Sequence, residues 1–373
     1  MRILINARFL IPNKLEGIGL YTFEIVSRLA KSHPNHHFIL CVDRKSSMLF
    51  TFPENVTFEL IRPMARHPFL FIWWFEVGIP RAYRRTSADL FFSPDGFLSL
   101  SSAVSRSLLV IHDLAYKHYP DQISQVMLWY YQTYTPKFIS KANHIVTVSN
   151  ATAQDLAQHF PTSAHKTTVI YNGYRTPKKL NKSPREQSES VAGEYFVAIG
   201  SIHPRKNIAG LIRAFDKFRK LTLRRIKLVI VGRKAWKTGP LEIAFENSTH
   251  RDDIILTGFI PDTEMFHYLS HSKGLVYVSF FEGFGLPIVD AMAMGVPVIT
   301  SDRSSMKEIA GEAALLVDPE NPSEIAQAMY NLVENKNLRD DLIEAGKKRL
   351  EIFSWDRAAN EISKLMTTVV ESS

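Results

Sequence analysis

Twice along these 373 residues, short runs rich in Val, Ile, Leu and Phe alternate with longer stretches of helical spacing. In the first half the runs are "RILIN", "FILCVD", "VTFELI", "DLFFS", "LLVIHD" and "HIVTVS". In the second they are "YFVAIG", "KLVIVG", "IILTGF", "GLVYVSF", "PVIT" and "AALLVD". Runs that are apolar almost throughout suit strands covered on both faces, the situation of a parallel sheet with crossover helices. The intervening stretches supply such helices: Ile18, Tyr21, Ile25 and Leu29 fall on one face of a 3.6-residue period. The pattern breaks at "TPKKLNKSPREQSESVAG", which is polar and charged with no apolar period. Two α/β domains are therefore expected, residues 1–176 and 194–353, joined by a linker at 177–193. A crevice between them is the expected ligand site.

Length agrees, since a domain usually takes about 100–200 residues. Hydrophobic residues make up 45%, enough for two cores. The single cysteine, Cys41, excludes an internal disulfide framework and suits a reducing compartment. The N-terminus lacks the long apolar core of a signal peptide, and no run approaches the roughly 20 apolar residues of a membrane span. A cytoplasmic protein is expected. The net charge of +8 suits anionic partners: nucleotides, phosphates, a lipid surface or nucleic acid. A merely solubilising surface explains it equally well.

The chemistry gathers where strands end. "GLVYVSF" runs into "FEGFG" and then into a helical pattern opening at Leu286–Pro287. Ligands of open α/β sheets bind at the carboxyl ends of strands. Pro287 suits a first helical turn, where its missing N–H costs nothing. The N–H groups around Gly285 and Leu286 would then form an anion site, with Gly283 and Gly285 allowing close backbone approach. Glu282 does not fit an anion role; it fits a hydrogen-bond acceptor for hydroxyls. So does Asp290, about one helical turn further on. Two hydroxyl acceptors around a phosphate site suggest a nucleoside diphosphate sugar. The competing reading is a capping acid and a surface acid.

In "GSIHPRKNIAGLIRAF", Arg205 and Lys206 stand at the start of the next helix, where cations oppose the helix dipole unless an anion faces them. "EGIGLYTF" places Gly17 and Gly19 at a loop-to-helix junction, without the third glycine of the dinucleotide fingerprint. "VIHDLAY" ends a strand at His112, which could donate to a sugar hydroxyl or phosphate, or serve structure alone. The sequence contains no G-x-x-x-x-G-K, G-x-S-x-G, C-x-x-C or D-x-D. The histidines of "HPNHH", His33–His37, read as an exposed loop rather than a metal site. No metal and no cofactor is expected, and a diphosphate leaving group would rely on Arg205, Lys206 and the helix N-terminus.

On these residues the chain resembles the retaining glycosyltransferases of family 4. The resemblance runs through "EGIGLYT", "VIHD", "TVSNATAQDL", "VIYNG", "GSIHPRKN", "LTGFIPDTEM", "SFFEGFGLPIVDAMAMGVPVIT" and "FSWDRAANEISKLM". It implies the GT-B fold: α/β, two Rossmann-like domains facing a central cleft, with the last helix, 354–373, returning to the first domain. It implies that Glu282 contacts the donor sugar as a catalytic residue with His112, and that Asp290 contacts the ribose. Arg205 and Lys206 would hold the diphosphate, and Phe259 and Ile260 the base. Phe284, Gly285 and Leu286, with Gly17 and Gly19, would complete the donor site. Two positions depart from the family pattern: Asp290 replaces a glutamate, and Ser201 stands where many relatives carry arginine.

The resemblance implies a metal-independent, retaining glycosyltransferase, of mannosyl or rhamnosyl type, acting on a glycan or lipid-linked acceptor in surface polysaccharide synthesis. Two alternatives are a GT-B-like sugar-nucleotide epimerase and a non-enzymatic basic protein for nucleic acid or other anions. No nucleic-acid partner is expected for the transferase. Finally, "RHPFLFIWWFEVGIPRAYRR" flanks seven apolar residues with arginines. It reads either as a buried helix or as an edge resting on the inner face of the membrane.

Overall fold

A computed structural model describes residues 1–12, 15–65, 67–177, 193–233 and 239–372. The chain divides into two compact units, Met1–Gly173 with Ser354–Ser373, and Tyr174–Phe353. Residues 174–176, read from sequence as the end of the first domain, group with the second. Most of the expected linker lies outside the described residues.

The first unit is built on seven parallel strands: β1 (Arg2–Asn6), β2 (His37–Val42), β3 (Val56–Leu60), β4 (Leu90–Ser93), β5 (Ser107–Ile111), β6 (His144–Thr147) and β7 (Thr167–Val169). Their order is β3-β2-β1-β4-β5-β6-β7. Ile3, Leu4, Ile5, Leu90, Phe91, Leu108 and Val110 are wholly buried, so the near-continuous apolar runs are explained by helices covering both faces. The three-residue β7 is absent from the sequence-derived strands. At that length it carries no legible period, and it exists because Ile145, Val146 and Thr147 offer it a pairing edge.

The helix Trp355–Glu371 belongs to the first unit. Ser354 caps it by accepting from the Arg357 N–H. It lies against the helix Ile18–Ser32, where Asp356 accepts from Arg28 at 2.8 Å and Ser363 meets His33 Nε2 at 2.8 Å. Gly173 is required there: a Cβ would stand 2.3 Å from the Trp355 nitrogen.

The aromatic run at 69–75 is mostly core. It forms a helix, Pro68–Trp73, continued by a π-helical turn, Trp74–Gly78, and a helix, Ile79–Arg85. Phe71, Trp74 and Phe75 are buried with Phe97, Tyr130 and Phe138, whereas Phe69 is 64% exposed. Helical spacing turns Phe69 outward, so a continuous surface strip of seven residues does not form.

The second unit carries six parallel strands: β8 (Tyr195–Ile199), β9 (Lys227–Val231), β10 (Ile254–Gly258), β11 (Leu275–Tyr277), β12 (Val298–Ser301) and β13 (Ala314–Val317). Their order is β10-β9-β8-β11-β12-β13. The chain moves outward from β8 to β9 and β10, then returns to the other side of β8 with β11. This reversal makes β8 and β11 neighbours at a topological switch point, where the loops leaving the two strands diverge and open a crevice.

Candidate functional site

Both loops at that switch point carry charge, and the fold ties them together. Beyond β8 the chain turns through Gly200, whose φ of 140° favours glycine. It reaches a short 3₁₀ turn, Pro204–Lys206, and then the helix Ile208–Leu221. Arg205 and Lys206 thus precede the helix by one turn and do not lie on it. Between turn and helix, Asn207 adopts a left-handed conformation. Its amide donates to the carbonyls of Val278 at 3.1 Å and Pro319 at 2.6 Å. The Phe280 N–H donates to the Arg205 carbonyl at 2.8 Å. These bonds fix the basic turn against the loop leaving β11.

Glu282 sits in that second loop and is only 7% exposed. Lys206 Nζ donates to its Oε1 at 2.5 Å and to the Tyr277 hydroxyl at 2.7 Å. Arg205 approaches its Oε2 at 3.9 Å. Burial pushes the Glu282 carboxyl up, yet the two cations together hold it below the ordinary carboxylate range. Burial, with the Glu282 charge beside it, pushes the Tyr277 hydroxyl well up, so it stays protonated. Ser304 Oγ and Ser305 Oγ both donate to the Glu282 carbonyl, at 2.6 and 2.8 Å, and the Glu282 N–H donates back to Ser304 Oγ at 3.3 Å. A small cavity lined by Gly200, Lys206, Tyr277 and Ser279 lies beside the pair.

The helix Leu286–Ala293 then begins as the sequence suggests, with Pro287 in its first turn. Gly285 precedes it at φ 106°, a conformation that strongly favours glycine. Phe284 is a correction: its side chain is buried, edge-on to the Phe353 ring at 5.7 Å, and its carbonyl accepts from Ser305 Oγ at 3.0 Å, so its ring is not open to a ligand.

Asp290 is a second correction. It is wholly buried, and both carboxylate oxygens are already engaged. Oδ1 accepts from the Arg175 N–H at 2.8 Å; Oδ2 accepts from Arg175 Nε at 2.9 Å and from its NH2 group at 2.7 Å. Burial pushes this carboxyl up, and Arg175 offsets the rise only in part. Arg175 also donates to Asp262 at 3.1 Å. In this state Asp290 anchors the segment entering the second unit, which is why 174–176 belong there.

Phe259 and Ile260 leave β10 at the same end of the sheet, and Phe259 is 53% exposed. The glycines draw these loops close. The Gly232 N–H donates to the Gly258 carbonyl at 3.0 Å, and a Cβ on Gly232 would stand 1.8 Å from the Gly200 carbonyl oxygen.

Gly17, Gly19 and His112 belong to the first unit. Gly17, at φ 48°, precedes the helix Ile18–Ser32. A Cβ on Gly19 would meet the Phe9 carbonyl oxygen at 2.4 Å, so this glycine lets the loop after β1 cross the helix start. His112 follows β5, edge-on to Tyr21 at 5.0 Å. Its Nε2 lies 2.8 Å from the Pro94 carbonyl, an acceptor, which assigns the proton to Nε2. Burial lowers its pKa, so the ring is neutral near pH 7 and Nδ1 is an acceptor. The expected donation to a ligand is thereby corrected to acceptance.

Tyr277, Ser304, Ser305, Asn207 and Arg175 were not singled out from sequence. Each acts on a group far along the chain, and the positive φ values of Asn207, 56°, and Ser304, 54°, which favour glycine, are visible only in the folded backbone.

The molecule is similar in fold to sucrose-phosphate synthase from Thermosynechococcus elongatus, with TM-score 0.78, 17% identity and all of both chains covered. It is similarly related to Anabaena HepE, solved with UDP-glucose, with TM-score 0.75, 17% identity, and 99% of this chain and 100% of that one covered. In sequence it is 27% identical over 365 residues to the O-antigen chain mannosyltransferase B of Escherichia coli, covering 93% of this chain and 94% of that protein. The Glycosyltransferase Family 4 model matches residues 15–177 and the Glycosyl transferases group 1 model matches residues 181–349. With consecutive halves matched in this order and a relative that spans both, the chain belongs to the group 1, family 4 glycosyltransferases of GT-B fold.

Proposed function

We propose that the protein transfers a mannosyl- or rhamnosyl-type sugar from a nucleotide donor to a glycan or lipid-linked hydroxyl in surface polysaccharide synthesis, with retention and without a metal. One observation supports this above the others: Arg205, Lys206 and Glu282 converge at the switch point of the second sheet. A diphosphate there exchanges places with Glu282 as the partner of Lys206. Arg205 and Lys206 offset the charge that develops on the departing phosphate. Glu282, released from Lys206, accepts from hydroxyls of the donor sugar. The C1–O bond to the diphosphate breaks while the C1–O bond to the acceptor forms on the same face, and the acceptor proton passes to a leaving phosphate oxygen. The epimerase reading is disfavoured, because the full-length relative is a transferase.

A thermal-shift screen against GDP-, UDP-, TDP- and ADP-sugars tests the donor class. A donor at 100 times its Kd stabilises by about 2.7 kcal/mol, which such a screen registers. Transfer in the presence of EDTA, with the product anomer read by NMR, tests the metal-free and retaining assignments. No shift with any sugar nucleotide would overturn the reading.

We further propose peripheral membrane contact through Phe69 and Trp129. They are 64% and 45% exposed, with rings 6.4 Å apart and the 44% exposed Val126 three residues before Trp129. Among the described residues no helix is long and apolar enough to cross a membrane, so contact would be superficial. Sedimentation with anionic vesicles, compared with a Phe69→Ser/Trp129→Ser variant, decides; equal sedimentation of the two proteins would refute the contact.

A further inference from the structure

His118, Asp155 and His159 lie apart in the sequence and come together in the first unit. His118 ends the short helix Ala115–His118 that follows β5, and Asp155 and His159 lie one turn apart on the helix Asn150–His159 that follows β6. Among the described residues they form the one group of three potential ligand side chains, with their ligating atoms all within 4.8 Å of one another. His118 Nε2 stands 2.9 and 3.0 Å from the two Asp155 oxygens. His159 Nε2 is 3.4 Å from Asp155 Oδ1; it is buried from solvent and makes no hydrogen bond. The histidine rings meet edge to face at 5.7 Å.

We propose that these three residues form a binding site for a divalent transition metal of the zinc class. Two imidazoles and one carboxylate are the ligand set such ions take, with water completing the tetrahedron. Bonds of about 2.0–2.1 Å in a tetrahedron put ligand atoms about 3.3 Å apart, close to the two nitrogen–oxygen separations present here. The buried Nε2 of His159 gains a partner. The site joins the outer end of the loop after β5 to the helix after β6. That helix already holds the loop at its inner end, where Thr152 Oγ1 donates to the His112 carbonyl at 3.2 Å. The metal is thus a clamp on the segment that carries His112. It is not a participant in sugar transfer.

The test uses the full chain without an affinity tag, stripped by chelation and titrated with Co²⁺ while its visible ligand-field bands are recorded, followed by displacement with Zn²⁺. One tetrahedral site per chain is expected, and the chelated protein should melt at a lower temperature than the metal-loaded one. His118→Ala, His159→Ala and the nearly isosteric Asp155→Asn should each weaken binding about tenfold or more. His267→Ala/His271→Ala removes a histidine pair at the end of the helix Asp262–Ser270, whose rings are 4.3 Å apart, and should leave the bands unchanged. Retained tetrahedral bands in the His118, Asp155 and His159 variants would overturn the proposal. So would loss of the bands in the His267/His271 variant alone, which would mark an adventitious ion only.

Discussion

Replacing Glu282 by Gln should separate binding from turnover in opposite directions. The Lys206 ammonium lies 2.5 Å from Glu282 Oε1. A phosphate oxygen on the far side of that ammonium, at about 2.8 Å, would sit about 5 Å from the carboxylate. Two unit charges at that separation repel by about 3 kcal/mol at an effective dielectric of about 20. The neighbouring cations weaken this, so neutralising Glu282 should tighten free nucleoside diphosphate by about 10- to 100-fold. Gln keeps an oxygen for Lys206, which limits the structural cost, whereas Ala would leave two cations without their buried counter-charge. Transfer should nevertheless fall about 10²-fold or more, because the charged acceptor for the sugar is lost. Calorimetry with the cognate nucleoside diphosphate, beside initial rates on the intact donor, measures both. The fold offers a third readout. The Glu282 carboxyl is held below its ordinary range, so its stabilisation is present at neutral pH and is lost as pH falls through that lowered pKa. The variant should show a shallower acid-unfolding limb. Unchanged or weaker diphosphate binding would refute the idea that Glu282 and phosphate compete for Lys206.

Lys206→Ala should weaken donor and free nucleoside diphosphate together and spare the bare nucleoside; titration with all three checks this, and equal losses would place Lys206 elsewhere. Arg175→Ala leaves Asp290 buried without its counter-charge and should cost about 3–5 kcal/mol at pH 7. The deficit should fade in urea melts as pH falls through the raised Asp290 pKa, because the protonated acid needs no cation. Asp290→Glu, which restores the usual family residue, adds a methylene to a wholly buried group already held by Arg175. It should lower stability by about 1–3 kcal/mol, so a melt as stable as the parent would contradict the packing argument. Gly19→Ala places a Cβ 2.4 Å from the Phe9 carbonyl oxygen and should destabilise by about 1–3 kcal/mol, read from the urea midpoint.

Local pattern alone decided a good deal about this protein. The doubled run of apolar strands specified two parallel α/β units, because strands covered on both faces have almost no polar positions to hide that origin. The loop after β11 was legible for a similar reason: Gly285 and Pro287 report backbone angles, which depend on neighbours in the chain. Tertiary structure decided what the side chains meet. Glu282 finds Lys206 at a distance of 76 residues, and Asp290 finds Arg175 at 115, so neither acid is the open acceptor that its place in the motif suggests. The conspicuous "HPNHH" forms no three-ligand group among the described residues: His33 and His36 stack at 5.0 Å, but His33 Nε2 turns to Ser363 and His37 to Thr57. The histidines that do gather around a carboxylate, His118 and His159, come from different helices through a shared aspartate. Likewise the helical rotation between them, more than one turn but not two, buries Trp74 and exposes Phe69 within a single apolar run. Backbone propensity is written over a few residues, whereas charge pairing and burial depend on which distant segments the folded chain brings together.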